Sequence, residues 1–394
     1  MAMKLNRKLW AVTVVGALIS AGPATATEYN TSSYDAVVQQ AKRASGDPVS
    51  ISTNLFVGWT GAWDTILMKQ LNLWQKWLPE GSKVEWKRNL QGPPVITDLL
   101  ANKQQIGYLG DNPAVLSTTK SAIAPVYMVG VNAVSPSRMC GVLLVRKGAP
   151  QFATTEEAVK WLDGKTVGVP KGSCADRLAQ GVTKKAGVKP VWQQMQAEVI
   201  VTSLQAGRID AAAVYEPHAT KAVFDGYADF AASSADLGES DANAILMRGD
   251  FIDKNRDVAV AWLKANIEAL YYLRDKPKEA IEALKKELPD YTREELWHSI
   301  YGNPPEKVKP APVAFKAMMT VTPDERALVG RIYEFLKGLK VVQAPSLPDS
   351  AIRTDLVEQA FKELNLDPTK GLFELTAKAA EDCPYKGDQL VSGG

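Results

Sequence analysis

The chain has no apolar run of the ~20 residues that a membrane-spanning helix requires. The nearest approach, Leu9 to Ala21, follows Lys4, Arg7 and Lys8 and precedes Ala24-Thr25-Ala26, which has the small-x-small form of a signal peptidase site. Residues 1–26 therefore read as a cleaved secretory signal, with the mature chain starting near Thr27 and no later segment able to span a bilayer. An excess of one charge is also missing. The formal balance is +2, and losing the three basic residues of the leader takes it to about −1, which argues against nucleic acid as a partner. Histidine is limited to His218 and His298 and cysteine to Cys140, Cys174 and Cys383, none closely spaced, so neither a structural zinc site nor a cofactor is expected. In an oxidising compartment three cysteines allow at most one intramolecular disulfide and leave one thiol over. The sequence leaves open whether Cys140 pairs with Cys383.

What the chain does contain is strand and helix patterns in alternation, which predicts an α/β architecture of doubly wound sheets. A strand from Val49 to Phe56 runs into Gly58, Trp59, Thr60 and Gly61 and then a helix whose Trp63, Leu67, Leu71 and Trp74 form a core stripe. A strand over Lys83–Lys87 leads to Gln91-Gly92-Pro93-Pro94 and a helix, and a strand over Ile106–Leu109 ends in Gly110-Asp111-Asn112-Pro113. After a turn near Val134–Ser137, the run CGVLLVRK reads as a crossing into a second lobe. The strand over Ala244–Met247 reads as the return crossing. Residues 47–136 and 242–394 then form one lobe and 139–236 the other, and two crossings make a hinge near Val134–Cys140 and Ser234–Ala244. Beyond it, Asp257–Leu273, Pro277–Leu288, Thr292–Tyr301, Pro323–Leu339 and Ile352–Leu364 read as amphipathic helices wrapping the first lobe, with Ser392-Gly393-Gly394 loose.

Within this plan the stretch KTVGVPKGSCADR, Lys165 to Arg177, carries the clearest functional signal. A short strand breaks at Pro170, turns through Gly172 and enters a helix at Ser173, a geometry that aims unpaired amides at an anion. The GWTG turn repeats that logic in the first lobe. TDLLANKQQIGYLGDNP and TSLQAGRIDAAAVYEP also share one plan, a helix, a short strand, an acidic residue and a proline, and so read as a weak internal repeat. Ligands of doubly wound sheets sit outside the carboxyl ends of the strands, where Trp59, Gln91, Asp111 and Asn112 all fall. Trp59 is free to face a ligand or to close the top of the sheet.

The order of signal peptide, GWTG, IGYLGDNP, GVLLVRKG, VGVPKGSCA and YEP resembles the periplasmic substrate-binding proteins of ABC importers, in the sulfonate, taurine and nitrate (NMT1-like) branch. The resemblance spans roughly Val49 to Leu273. It implies a type II periplasmic-binding-protein fold, a monomer that closes two lobes on a small-molecule solute and hands it to a membrane permease, and no enzymatic activity. Carried over residue by residue, it places ligand contacts at Trp59, Thr60, Gly61, Gln91, Asp111, Asn112, Ser173, Cys174, Tyr215 and Glu216. The chain departs from the pattern in having Cys174 in place of a small hydroxyl residue and Glu216 in place of an aspartate. It also carries a helical extension beyond about Pro310.

Helix mouths favour an anionic group by ~0.3 to 1 kcal/mol, while Asp111, Glu216, Asp64 and Asp176 bring negative charge toward the same place. The expected ligand is therefore a small zwitterion or amine-bearing solute, taurine-like, with its cation on Glu216 or Asp111 and flanked by Trp59 and Tyr215. The other reading of these carboxylates is that they cap helices or pair with bases such as Arg177. Ser173 likewise either adds a hydroxyl to the site or only caps its helix. A thiol at a helix N-terminus has a lowered pKa, so the alternative function is a secreted enzyme with Cys174 as nucleophile and His218 as base.

Overall fold

The computed structural model describes residues 27–120, 123–302 and 313–390. The signal-peptide reading, the start of the extension near Pro310 and the Ser392-Gly393-Gly394 tail lie outside these residues. Twelve strands are described: β1 (Ser50–Phe56), β2 (Lys83–Asn89), β3 (Ile106–Gly110), β4 (Val126–Ser135), β5 (Val142–Arg146), β6 (Thr166–Val169), β7 (Val191–Gln194), β8 (Ala211–Val214), β9 (Ala228–Ser233), β10 (Asp241–Arg248), β11 (Ala314–Ala317) and β12 (Phe373–Thr376).

They form two lobes on one plan. In the second, the order is β7-β6-β8-β5-β9, with β6 parallel to β7 and β8, and β5 antiparallel to β8 and β9. In the first, β1 pairs parallel with β2, Ser50 opposite Lys83 through Phe56 opposite Asn89, and an antiparallel sheet runs β12-β11-β4-β10-β3. The side chain of Asn54 joins these two pieces. It donates to the Tyr108 carbonyl at 3.0 Å and accepts from the Tyr108 amide at 2.9 Å, standing in for ladder bonds between β1 and β3. The first lobe thus reads β2-β1-β3-β10-β4 and matches the second strand for strand. The two halves of the internal repeat fall on equivalent elements, helix Gly92–Leu100 with β3 and helix Ala197–Gln205 with β8.

The crossing strands are β5 and β10, each paired on both sides and antiparallel to both neighbours. The helix Trp63–Gln70 buries Trp63 and Leu67 as its stripe predicts, and the 20-residue helix Arg256–Asp275 packs across it with Trp262, Ile267 and Leu270 buried. The C-terminal region is not purely helical as expected. β11 and β12 extend the first sheet beyond β4 with Phe315, Ala317 and Phe373 buried, and so few apolar residues do not signal a strand by alternation.

Candidate functional site

The carboxyl ends of β1, β3, β6, β7 and β8 converge on a cavity of about 730 Å³ between the lobes. Six of the ten sequence-predicted contacts line it: Trp59, Gln91, Asn112, Ser173, Cys174 and Tyr215. Trp59 is 2 % exposed and its ring lies across Gly61, where an added Cβ would stand 2.8 Å from the indole. That contact is the physical reason for glycine in the GWTG turn. Phe56 meets the same indole edge-on at 6.0 Å, so Trp59 both closes the sheet and walls the cavity.

Four described helices of eight residues or more begin at this cavity, Gly92–Leu100, Asp111–Thr118, Cys174–Ala186 and Ala197–Gln205. The first contributes little as a donor, since Pro93 and Pro94 lack amide hydrogens. At the third, the Ser173 hydroxyl accepts from the Asp176 amide at 3.2 Å and the Asp176 carboxylate accepts from the Gly172 amide at 2.8 Å. Ser173 and Asp176 are therefore caps, and the amides of Cys174 and Ala175 remain as the helix's donors without intrahelical acceptors. Asn112 of the first lobe donates to the Gly172 and Ser173 carbonyls at 3.2 and 3.1 Å, and the Tyr215 hydroxyl of the second donates to the Leu90 carbonyl at 3.4 Å. Both are contacts from lobe to lobe.

Four expected ligand contacts lie outside the cavity wall. Thr60 donates its amide to the Glu216 carbonyl at 3.1 Å, and the Gly61 carbonyl accepts from Asn132 at 3.2 Å. Glu216 is fully buried beside Arg138, Nε to Oε1 3.3 Å, and accepts from the Thr220 amide. Burial pushes the Glu216 carboxyl up, against the pull of Arg138. Asp111 pairs with Arg177 at 2.6 Å, and burial again raises its pKa while Arg177 opposes the shift. The acidic end of each repeat is thus matched by an arginine of its own. Asp64 accepts from Asn132 and Asn266, both at 2.7 Å, and burial lifts its pKa to about 6. Among the described residues no carboxylate lines the cavity wall, which overturns the placement of an amine on Glu216 or Asp111.

Cys174 is corrected as well. It forms a disulfide with Cys140, Cα to Cα 5.8 Å, and Cys383 is the free, buried cysteine. The thiol that the enzyme reading needs is consumed, and His218, its supposed base, shares a hydrogen with the Tyr291 hydroxyl at 2.7 Å. Pairing of Cys140 with Cys383 is likewise excluded. Sequence reasoning missed Lys171, which is the one charged side chain lining the cavity among the described residues. Its signal was its place between Pro170 and Gly172 in the anion-facing turn. Leu336, Leu339 and Val341 were also missed, since nothing local to an amphipathic helix end says what it covers.

The NMT1-like family profile matches residues 52–286, more than half of the chain and both strand-turn-helix mouths. The chain belongs to the NMT1-like family. The NMT1-like match ends before β11, so the part of the cavity wall after residue 286 lies beyond it. A putative aliphatic sulfonates-binding protein of Escherichia coli (strain K12) is 24% identical over 269 residues, 67% of this chain and 80% of that protein. The alkanesulfonate-binding protein SsuA from Xanthomonas axonopodis pv. citri bound to MOPS superposes with a TM-score of 0.62 at 17% identity, covering 78% of this chain and 99% of that one. The periplasmic nitrate-binding protein NrtA from Synechocystis PCC 6803 gives 0.62 at 17% identity, over 80% and 89%. These NMT1-like and periplasmic binding-protein neighbours share the two-lobed fold.

Proposed function

We propose that the protein is the periplasmic solute-binding component of an ABC-type importer, a secreted monomer that encloses a small organic anion between its lobes and delivers it to a membrane permease. The observation that carries this reading is the charge pattern of the cavity. Lys171 and the helix mouth at Cys174 stand on a wall that otherwise offers neutral side chains, while Glu216, Asp111 and Asp176 are engaged by Arg138, Arg177 and the Gly172 amide. The head group we assign is a sulfonate, held by Lys171 and the amides of Cys174 and Ala175, with Trp59, Gln91, Asn112 and Tyr215 around it. The ammonium of a taurine-like zwitterion would find no carboxylate on this wall, so an anion without an amine is favoured. The names of the Escherichia coli and Xanthomonas relatives agree with a sulfonate.

Closure follows from the same contacts. A ligand that touches Lys171 on one lobe and Trp59 or Gln91 on the other binds the shut form better than the open one, and that difference moves the equilibrium about the segments joining β4 to β5 and β9 to β10. A thermal-shift series on the mature chain with ethanesulfonate, taurine and nitrate tests the reading, because a ligand of the native state raises Tm by mass action. Ethanesulfonate should raise Tm more than taurine. A flat response to all three, or no compaction in solution scattering with a bound ligand, sinks the proposal.

A further inference from the structure

An anion held at Lys171 uses only part of the cavity. At about 730 Å³ the space falls within the ~300–1,000 Å³ typical of sites that enclose a drug-sized ligand, and a two-carbon sulfonate would leave most of it unfilled. One stretch of the wall is apolar. Ile96, Pro113 and Leu116 of the first lobe face the same space as Leu336, Leu339 and Val341, which come from beyond the family match.

That second group is firmly built. Helix Pro323–Gly338 begins in a capping box between Thr322 and Glu325, and its buried face, Leu328, Val329 and Ile332, packs over helix Asp111–Thr118 and strands β4 and β10. The turn that follows passes through Lys340 at φ 61°, and the Tyr333 hydroxyl donates to the Ala344 carbonyl at 2.8 Å, tying the returning chain to the helix. Val341 is nonetheless 46 % exposed. An apolar side chain held in place with half its surface open, at the rim of an apolar cavity, is suited to cover a ligand rather than a core.

We propose that the segment Leu336–Val341 is the specificity wall for the ligand's body, and that the solute is an anion carrying an aryl group or a comparably large apolar substituent. The inference rests on the anion-binding reading of the same cavity. The wall gains affinity by removing the apolar body from water, whereas a small sulfonate gains nothing from it.

Isothermal titration on the mature chain tests it with matched probes: ethanesulfonate and naphthalene-2-sulfonate, then propionate and 2-naphthoate. The wild type should bind naphthalene-2-sulfonate at least about tenfold more tightly than ethanesulfonate. Leu339→Ser/Val341→Ser, whose sites are not fully buried, should lose about tenfold on the naphthyl probe and stay within about twofold on the ethyl one. If the double variant melts well below wild type without ligand, Val341→Ser alone is read instead. Equal affinity for the two bodies, or a naphthyl preference that survives in the variant, overturns the wall. Should the carboxylates bind with this same preference and loss while the sulfonates do not bind, the sulfonate assignment falls and the wall stands. No binding in either series overturns both.

Discussion

Arg177, on the helix Cys174–Ala186 that follows the second lobe's anion-facing turn, donates from Nη2 to Asp111 Oδ2 of the first lobe at 2.6 Å. The same guanidinium pairs with Glu239, donates to the Ser240 carbonyl at 3.2 Å and stands 3.7 Å from Asp241. Asp241 in turn accepts from the amides of Cys140 and Gly141 at 3.2 and 2.8 Å, so one buried network ties both lobes to both crossings. Burial lifts the Asp241 pKa to about 6 even with Arg177 beside it. Removing the cation should therefore be costly. Arg177→Met should lose ~3–5 kcal/mol, the usual effect of stranding a buried charge, and Asp111→Asn/Arg177→Met should recover part of it. Urea unfolding of the three proteins measures this, and a loss below 1 kcal/mol for Arg177→Met would refute the account.

The disulfide lies in the cavity wall and closes a loop with a sequence separation of 34 residues. On loop entropy alone, Cys140→Ser/Cys174→Ser should lower stability by ~2–4 kcal/mol, while a binding protein keeps most of its affinity for an anionic solute. A peptide map under non-reducing conditions should recover Cys140 linked to Cys174 and Cys383 unlinked. Recovery of a Cys140–Cys383 peptide would contradict the structure.

Lys171 is exposed, so its removal should change binding and not folding. Lys171→Gln is expected to weaken ethanesulfonate by ~10- to 100-fold, the scale of one charge-assisted hydrogen bond, with an unchanged melting temperature. Lys171→Arg should retain most of the affinity. If Lys171→Gln binds as wild type does, the head group lies elsewhere.

His218 is buried against Tyr291, Glu198 and Lys221, and burial, with Lys221 adding to it, drives its pKa down to about 4. Between pH ~6.5 and 4 the unfolded state holds the imidazole proton and the folded state does not, so this group's contribution to stability is lost as pH falls through that window. Asp64 and Asp241, both raised to about 6, act with the opposite sign, because the folded state holds their protons first. The comparison must therefore be differential. Relative to wild type, His218→Gln should gain ~2 kcal/mol on going from pH 7 to pH 5. Parallel stability curves for the two proteins would show that His218 is not the group that titrates.

Much of the fold was legible in the chain. β1, β3, β6 and β8 were each marked by a short apolar run ending close to a glycine or proline, and the crossing at β10 by its return to an apolar pattern after Gly238 and Glu239. β4 was harder, because a strand buried on both faces does not alternate. In the site, Trp59, Gln91, Asn112, Ser173, Cys174 and Tyr215 could be found because a turn at a strand's carboxyl end must face the cleft whatever surrounds it.

By itself, then, the sequence determined the two strand-turn-helix mouths, the double crossing and the family, since these follow from periodicity and turn chemistry within a few residues. Only the tertiary structure decided what the charges and thiols do. Asp111 and Glu216 looked like ligands for a cation until Arg177 and Arg138 were brought against them, and Cys174 looked like a nucleophile until Cys140 met it. A local pattern says where a side chain points. Whether a buried charge or a thiol is free depends on a partner far away in the chain, and so does the wall that Leu336, Leu339 and Val341 place across a cavity made by other elements.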